Sequence, residues 1–210
     1  MTFRQTLFFS SLSVIVRLFP PLSLTQESSM RVGIGHDTHR LEPGLPLWIG
    51  GVRVPSDRGA VGHSDADVLL HAVTDALLGS AALGDIGGWF PDTDPQYSGA
   101  ASSRFVEAAR SELARRGLAV VNLDVTVFVE SPRLAEFATE IRTHLATLLE
   151  TDIEAISFKA KTGEGVGPVG RGEAIGAMAA VLVETVELSE SKADADDVFR
   201  GSEQETDESR

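Results

Sequence analysis

The chain has 210 residues, of which 42% are apolar, enough for one domain of ordinary size with a real core. Its 18 basic and 31 acidic side chains leave a net charge of −13. That balance argues against a nucleic-acid partner, since a duplex binder needs a basic stripe to neutralise phosphates. Cysteine is absent, which excludes disulfide scaffolds, thiolate metal sites and cysteine nucleophiles; any transition-metal site must be drawn from carboxylates and the five histidines.

The two ends differ from the middle. Residues 1–29 start basic, run through an apolar stretch, and hold no acid before Glu27. Arg17, Pro20 and Pro21 interrupt that stretch, so it is too short for a membrane span. A cleaved targeting peptide, a signal peptide and upstream residues translated from a misassigned start all fit. Met30 stands directly before RVGIGHD, which favours the misassigned start and a cytoplasmic protein; a plastid transit peptide is the alternative. Residues 189–210 are strongly acidic and read as a solvated, disordered tail. The globular part is therefore expected at 30–188, and it shows no internal repeat.

In chain order, residues 31–35 predict a short strand, and Trp48–Ile49 and Val52–Val54 flank Gly50–Gly51 as in a hairpin. Ser64-Asp65-Ala66-Asp67 reads as a capping box, with apolar positions at helical spacing from Val68 to about Leu83. A second helix is expected from Ser102 to Arg116, stopped by Gly117. Val120–Glu130 predicts a strand, Leu134–Leu149 a helix and Ala155–Thr162 a strand. Glu173–Glu187 is ambiguous by period, but its glycines and valines favour a buried strand. The sum is an α+β fold: a mixed β-sheet with helices packed on one face, plus a small hairpin.

Four groups of residues carry chemistry. Asp37 and His39 are two apart at a strand end and project to one side, where His71 from the first helix could join them. Two imidazoles and a carboxylate with an open position form the ligand set of a catalytic zinc site, and Mn²⁺ or Fe²⁺ would also suit it. The plainer reading is a turn and a core histidine. Asp67, His71 and Asp75 share one helix face, so Asp75 could accept the second N–H of His71 while Asp67 caps the helix. His63 and Ser64, at that helix start, offer a place for a phosphate oxygen or simply begin the helix. Asp85-Ile86-Gly87 and Phe90-Pro91-Asp92-Thr93-Asp94 read as a helix exit and an Asx-type turn, or as acceptors for sugar hydroxyls or Mg²⁺. Last, Lys161-Thr162-Gly163-Glu164 leads into a glycine-rich run ending at Arg171-Gly172. It allows close backbone approach to a diphosphate, matches no P-loop or dinucleotide fingerprint, and could equally be a linker.

Taken together, GHDTHR at 35–40, IGGVRVP at 49–55, HSDADVLLHAVTDALLGSAALGDIG at 63–87, FPDTDP at 90–95 and GRGEAI at 170–175 resemble the 2-C-methyl-D-erythritol 2,4-cyclodiphosphate synthases of the non-mevalonate isoprenoid pathway. The likeness covers about 30–187. It implies a homotrimer with active sites at subunit interfaces, and a cytidine diphosphate substrate cyclised with loss of CMP. It also implies Zn²⁺ or a related ion on Asp37, His39 and His71, and Mg²⁺ or Mn²⁺ held with help from Glu164. His63 and Thr162 match positions that stabilise the transition state. Asp37, Thr38, His39, His63, Ser64, Asp85 to Gly87, Phe90 to Asp94, the 129–135 segment, Lys161 to Glu164 and Arg171 match substrate-contacting positions. The chain departs from many members at Lys161, Gly163 and Pro168. A metal-dependent phosphohydrolase and a catalytically inactive trimeric binder of nucleotides or prenyl diphosphates are the rival readings.

Overall fold

A computed structural model of the chain describes residues 29–187, so the readings made of the N-terminal extension and the acidic tail fall outside the described residues. In chain order the elements are β1 (Met30–Pro43), β2 (Leu47–Ile49), β3 (Val52–Val54), β4 (Arg58–Ala60), α1 (Val68–Ser80), α2 (Ile86–Trp89), α3 (Ser103–Arg115), β5 (Leu118–Phe128), α4 (Ala138–Leu149), β6 (Ile156–Lys161), α5 (Gly167–Gly170) and β7 (Ala174–Thr185). Five strands form a mixed sheet in the order β4-β1-β7-β5-β6, and β2 pairs with β3 in a separate antiparallel ribbon. Only the β5–β6 pair within the large sheet is parallel. The α+β fold with a mixed sheet is thus as expected.

Helix α1 sits at the centre of the core. Val68, Leu69, Leu70, Ala72, Val73, Ala76, Leu77 and Leu78 are all fully buried, so the helix is apolar around most of its circumference. Each of its leucines stabilises the fold by about 2 kcal/mol through burial. Against α1 lies β1, and the contact is backbone to backbone. A Cβ at Gly33 would stand 1.9 Å from the Ala76 carbonyl oxygen, and one at Gly35 1.9 Å from that of Ala72. Only glycine lets the strand approach so closely. Gly35→Ala must push strand and helix apart, and is expected to lower stability by about 3 kcal/mol in chemical unfolding.

Two expectations are corrected. The first strand is longer than 31–35: β1 continues through Pro43, because its pairing with β7 extends to Arg40 opposite Ala174 and Leu41–Pro43 then pair with β4. Asp37 and His39 therefore lie within the strand. The first helix does not open at Ser64. Ala66 turns the chain with φ +58°, and Asp67 is the N-cap, its carboxylate accepting from the N–H groups of Leu69 and Leu70.

The face of the sheet turned away from α1 carries large apolar side chains in the open. Val32 is 65% exposed, Ile34 67% and Met178 44%.

Candidate active site

Strand alternation puts Asp37 and His39 on the side of β1 that faces α1, and the second turn of α1 presents His71 to them. One carboxylate oxygen is the centre of the cluster. Asp37 Oδ2 is 2.9 Å from His71 Nδ1 and 3.0 Å from His39 Nε2, and the two ring nitrogens are 3.1 Å apart. The other oxygen, Oδ1, accepts the Thr38 N–H at 2.8 Å, which fixes the carboxylate. Burial raises the Asp37 carboxyl, but the two imidazoles outweigh it and hold the group below the usual carboxylate range.

This donor set fits a divalent ion. Ligand atoms about 2.0–2.1 Å from a tetrahedral zinc lie roughly 3.3 Å from one another. Asp37, His39 and His71 meet that spacing with small outward movements, and they are the group of such side chains close enough to share an ion among the described residues. The side chains of His39 and His71 are 17% and 13% exposed, so one side of the cluster is open.

That open side gives onto a cavity of about 460 Å³, lined by His39, His63, Ser64, His71, Ile86, Gly87, Phe90, Pro91 and Asp92 together with Gly62, Tyr97 and Phe105. Most of the residues singled out between 37 and 94 therefore do converge. Phe90 stacks on Phe105 with centroids 4.6 Å apart, and Tyr97 meets both edge-on, forming an aromatic wall. Asp85 and Asp94 serve the backbone: Asp85 caps α2 through the Gly88 N–H at 2.9 Å, and Asp94 accepts the Gln96 N–H at 3.0 Å. Thr38 and Thr93 do not line this cavity.

Asp75 is not the partner of His71. Its Oδ1 accepts the Ile86 N–H at 2.7 Å, tying α1 to α2. Both nitrogens of His71 are engaged elsewhere, Nε2 facing the hydroxyl oxygens of Ser64 and Ser102 at 3.0 Å each. Nor is the first turn of α1 open to a phosphate, because Asp67 already takes its N–H groups. Sequence reasoning missed Tyr97 and Phe105, which line the cavity, and the buried Ser102 behind His71; none carries a local motif.

The remaining candidates lie apart. Lys161 and Thr162 line a smaller cavity of about 170 Å³ with Glu130 and 132–135, and Arg171 lines a third with Arg58 and Glu130. Thr162 Oγ1 donates to Glu164 Oε1 at 2.8 Å, and Arg171 pairs with Glu173 through two N–H groups at 2.8 and 3.0 Å. Glycine at 163 has a local reason: a Cβ there would stand 2.4 Å from Gly170 N, while its N–H bonds Glu130 Oε2 at 2.9 Å.

Comparison with known proteins places these features. The YgbB family matches residues 30–184. A Burkholderia mallei protein named 2-C-methyl-D-erythritol 2,4-cyclodiphosphate synthase is 50% identical over 153 residues, covering 73% of this chain and 94% of the relative. A solved structure of such a synthase in its CDP-bound form is 37% identical with a TM-score of 0.68, covering 73% of this chain and 99% of the other. The bifunctional IspDF of Campylobacter jejuni gives a TM-score of 0.73 at 34% identity, over 76% of this chain and 43% of that longer one. From the convergence of the sequence, the fold and the Asp-His-His cluster, the chain belongs to the YgbB family of 2-C-methyl-D-erythritol 2,4-cyclodiphosphate synthases.

Proposed function

We propose that the chain converts 4-diphosphocytidyl-2-C-methyl-D-erythritol 2-phosphate to 2-C-methyl-D-erythritol 2,4-cyclodiphosphate and CMP. The observation that carries this reading is the Asp37–His39–His71 cluster at the mouth of a cavity walled by His63, Ser64 and Phe90, in a chain of this family. An oxygen of the 2-phosphate attacks the β-phosphorus, a new P–O bond closes the ring, and the bond to the bridging oxygen breaks so that CMP departs. The nucleophile is already anionic and tethered to its target. The protein therefore needs alignment and relief of phosphate repulsion rather than an activated side chain. Divalent ions, Zn²⁺ on Asp37, His39 and His71 and Mg²⁺ or Mn²⁺ by Glu164, would supply that charge and polarise the attacked phosphorus.

The chain's own residues divide the remaining work. Ile86, Gly87 and Asp92 line the cavity where the erythritol would lie, and His63 and Ser64 reach its edge to contact phosphoryl oxygens. Lys161, Thr162 and the 129–135 segment would hold the cytidine end, with Thr162 and Glu164 beside the diphosphate. Arg171 offers a further cation. Because these two groups line separate cavities of one chain, a complete site is best formed by neighbouring copies. The exposed apolar face around Val32, Ile34 and Met178 supports a homotrimer in which such copies meet.

Phosphorus NMR of the full chain with substrate, Zn²⁺ and Mg²⁺ tests the proposal. CMP and a cyclic diphosphate are expected, with turnover abolished by chelation and restored by Zn²⁺. Release of inorganic phosphate instead would make the chain a hydrolase.

A further inference from the structure

Ser102 stands at the head of α3, where a serine ordinarily caps the helix, yet its hydroxyl makes no bond to the helix's N–H groups. It is fully buried and turned toward His71, whose Nε2 lies 3.0 Å away. On its other side the hydroxyl bonds Asp65 Oδ1, and Asp65 Oδ2 accepts the Ser102 N–H at 3.0 Å, so one carboxylate grips the serine twice. Asp65 also accepts the Asp67 N–H at 3.2 Å; each of its contacts is with a donor.

Proton bookkeeping then fixes a direction. An ionised carboxylate only accepts, so the Ser102 hydroxyl gives its single proton to Asp65 and turns lone pairs toward His71. Ser64 Oγ accepts the Ala66 N–H at 3.2 Å and lies 3.2 Å from Ser102 Oγ and 3.0 Å from Nε2; with its proton given to Ser102 Oγ, it too turns a lone pair toward Nε2. The serine oxygens thus favour the proton on Nε2, whereas the Asp37 carboxylate, 2.9 Å from Nδ1, competes to hold it there as long as no ion lies between them.

We propose that Asp65 and Ser102 are positioning residues that bias His71 toward its Nε2–H tautomer and so present Nδ1 to a divalent ion. The proposal rests on the reading that Asp37, His39 and His71 form the ion site. It assigns roles to two side chains that contact neither the ion nor the reacting phosphates: Asp65 acts through Ser102, and Ser102 through His71. Removing the hydrogen-bond partner of a ligating imidazole typically weakens metal affinity 10–100-fold.

The test uses ring ¹⁵N NMR of the full chain, metal-free at about pH 8 where imidazoles are mostly neutral, with His71 assigned by its loss in His71→Gln. It is paired with Zn²⁺ affinity from competition against a chromophoric chelator. The wild-type chain is expected to hold a measurable share of the Nε2–H form against the pull of Asp37 on Nδ1. Ser102→Ala should move that balance toward Nδ1–H and weaken Zn²⁺ binding about tenfold. Asp65→Asn should do more, because the amide can donate to the serine oxygen, turning the hydroxyl proton toward Nε2 and moving the histidine proton to Nδ1. A merely structural role would shift melting without shifting the tautomer. A wild-type chain with no detectable Nε2–H form, or an unchanged tautomer balance and Zn²⁺ affinity in both variants, overturns the proposal. Equal Zn²⁺ affinity in the wild-type and His39→Ala chains discards the ion site instead, and the tautomer, read without metal, still decides the relay.

Discussion

His71→Ala is expected to cyclise the diphosphocytidyl substrate at least about 10³-fold more slowly than the wild-type chain while remaining folded. The imidazole offers one of three atoms placed to share an ion, and without it Asp37 and His39 form an incomplete set. Stability should change little, by about 1 kcal/mol or less, or roughly 3 °C in melting. The side chain borders an open cavity that water can refill, and alanine is the better helix former. Steady-state release of CMP and calorimetric Zn²⁺ binding check both halves. His144→Ala is the control: that imidazole meets the Gly50 carbonyl oxygen at 2.7 Å, lines a different cavity, and its loss should leave turnover within about twofold. A fully active His71→Ala chain would remove the metal assignment.

Asp67→Ala is expected to cost about 4 kcal/mol of folding stability, or roughly 12 °C in melting temperature. The Asp67 carboxylate is fully buried and accepts four backbone N–H groups: Gly50 at 2.9 Å, Gly51 at 2.6 Å, and Leu69 and Leu70 at 3.1 Å. It thus caps α1 and ties the β2–β3 turn to it. Burial pushes the carboxyl up, against the pull of those N–H groups. Truncation leaves four donors without their acceptor in a place water reaches poorly. Asp67→Asn keeps the volume and one acceptor oxygen, and should lose about half as much. Thermal unfolding followed by circular dichroism distinguishes the two, and equal melting of all three chains would deny Asp67 this role.

Much of the fold could be read from local pattern. The Gly50–Gly51 turn, the apolar spacing of α1 and the stop at Gly117 are short-range signals, and each matches the structure to within a few residues. The ends of β1 and α1 were misjudged for a physical reason. How far β1 extends depends on its pairing with β7 and β4, and where α1 starts depends on Ala66 adopting a positive φ. The first is settled by distant partners, and the second by a left-handed alanine that no local propensity marks. The Asp37–His39–His71 cluster was legible because Asp37 and His39 are two apart in a strand and HSDADVLLH resembles the family so closely. The partner of His71 was not. Its spacing from Asp75 suggested a neighbour on the same helix, whereas the hydroxyl that meets it comes from Ser102, thirty-one residues away.

The close fit of β1 on α1 also decides which way that strand can face. Met30, Val32 and Ile34 alternate with Gly33 and Gly35, and hydrophobicity alone would turn the large residues inward. A slip of one position would aim Val32 and Ile34 at helix carbonyls where even a single methyl group has no room. The same slip would carry Asp37 and His39 to the opposite side, out of reach of His71. The backbone of α1 thus acts as a gauge that admits only one frame of the strand. The glycines that pass it, Gly33 and Gly35, thereby guard the placement of Asp37 and His39 further along the strand.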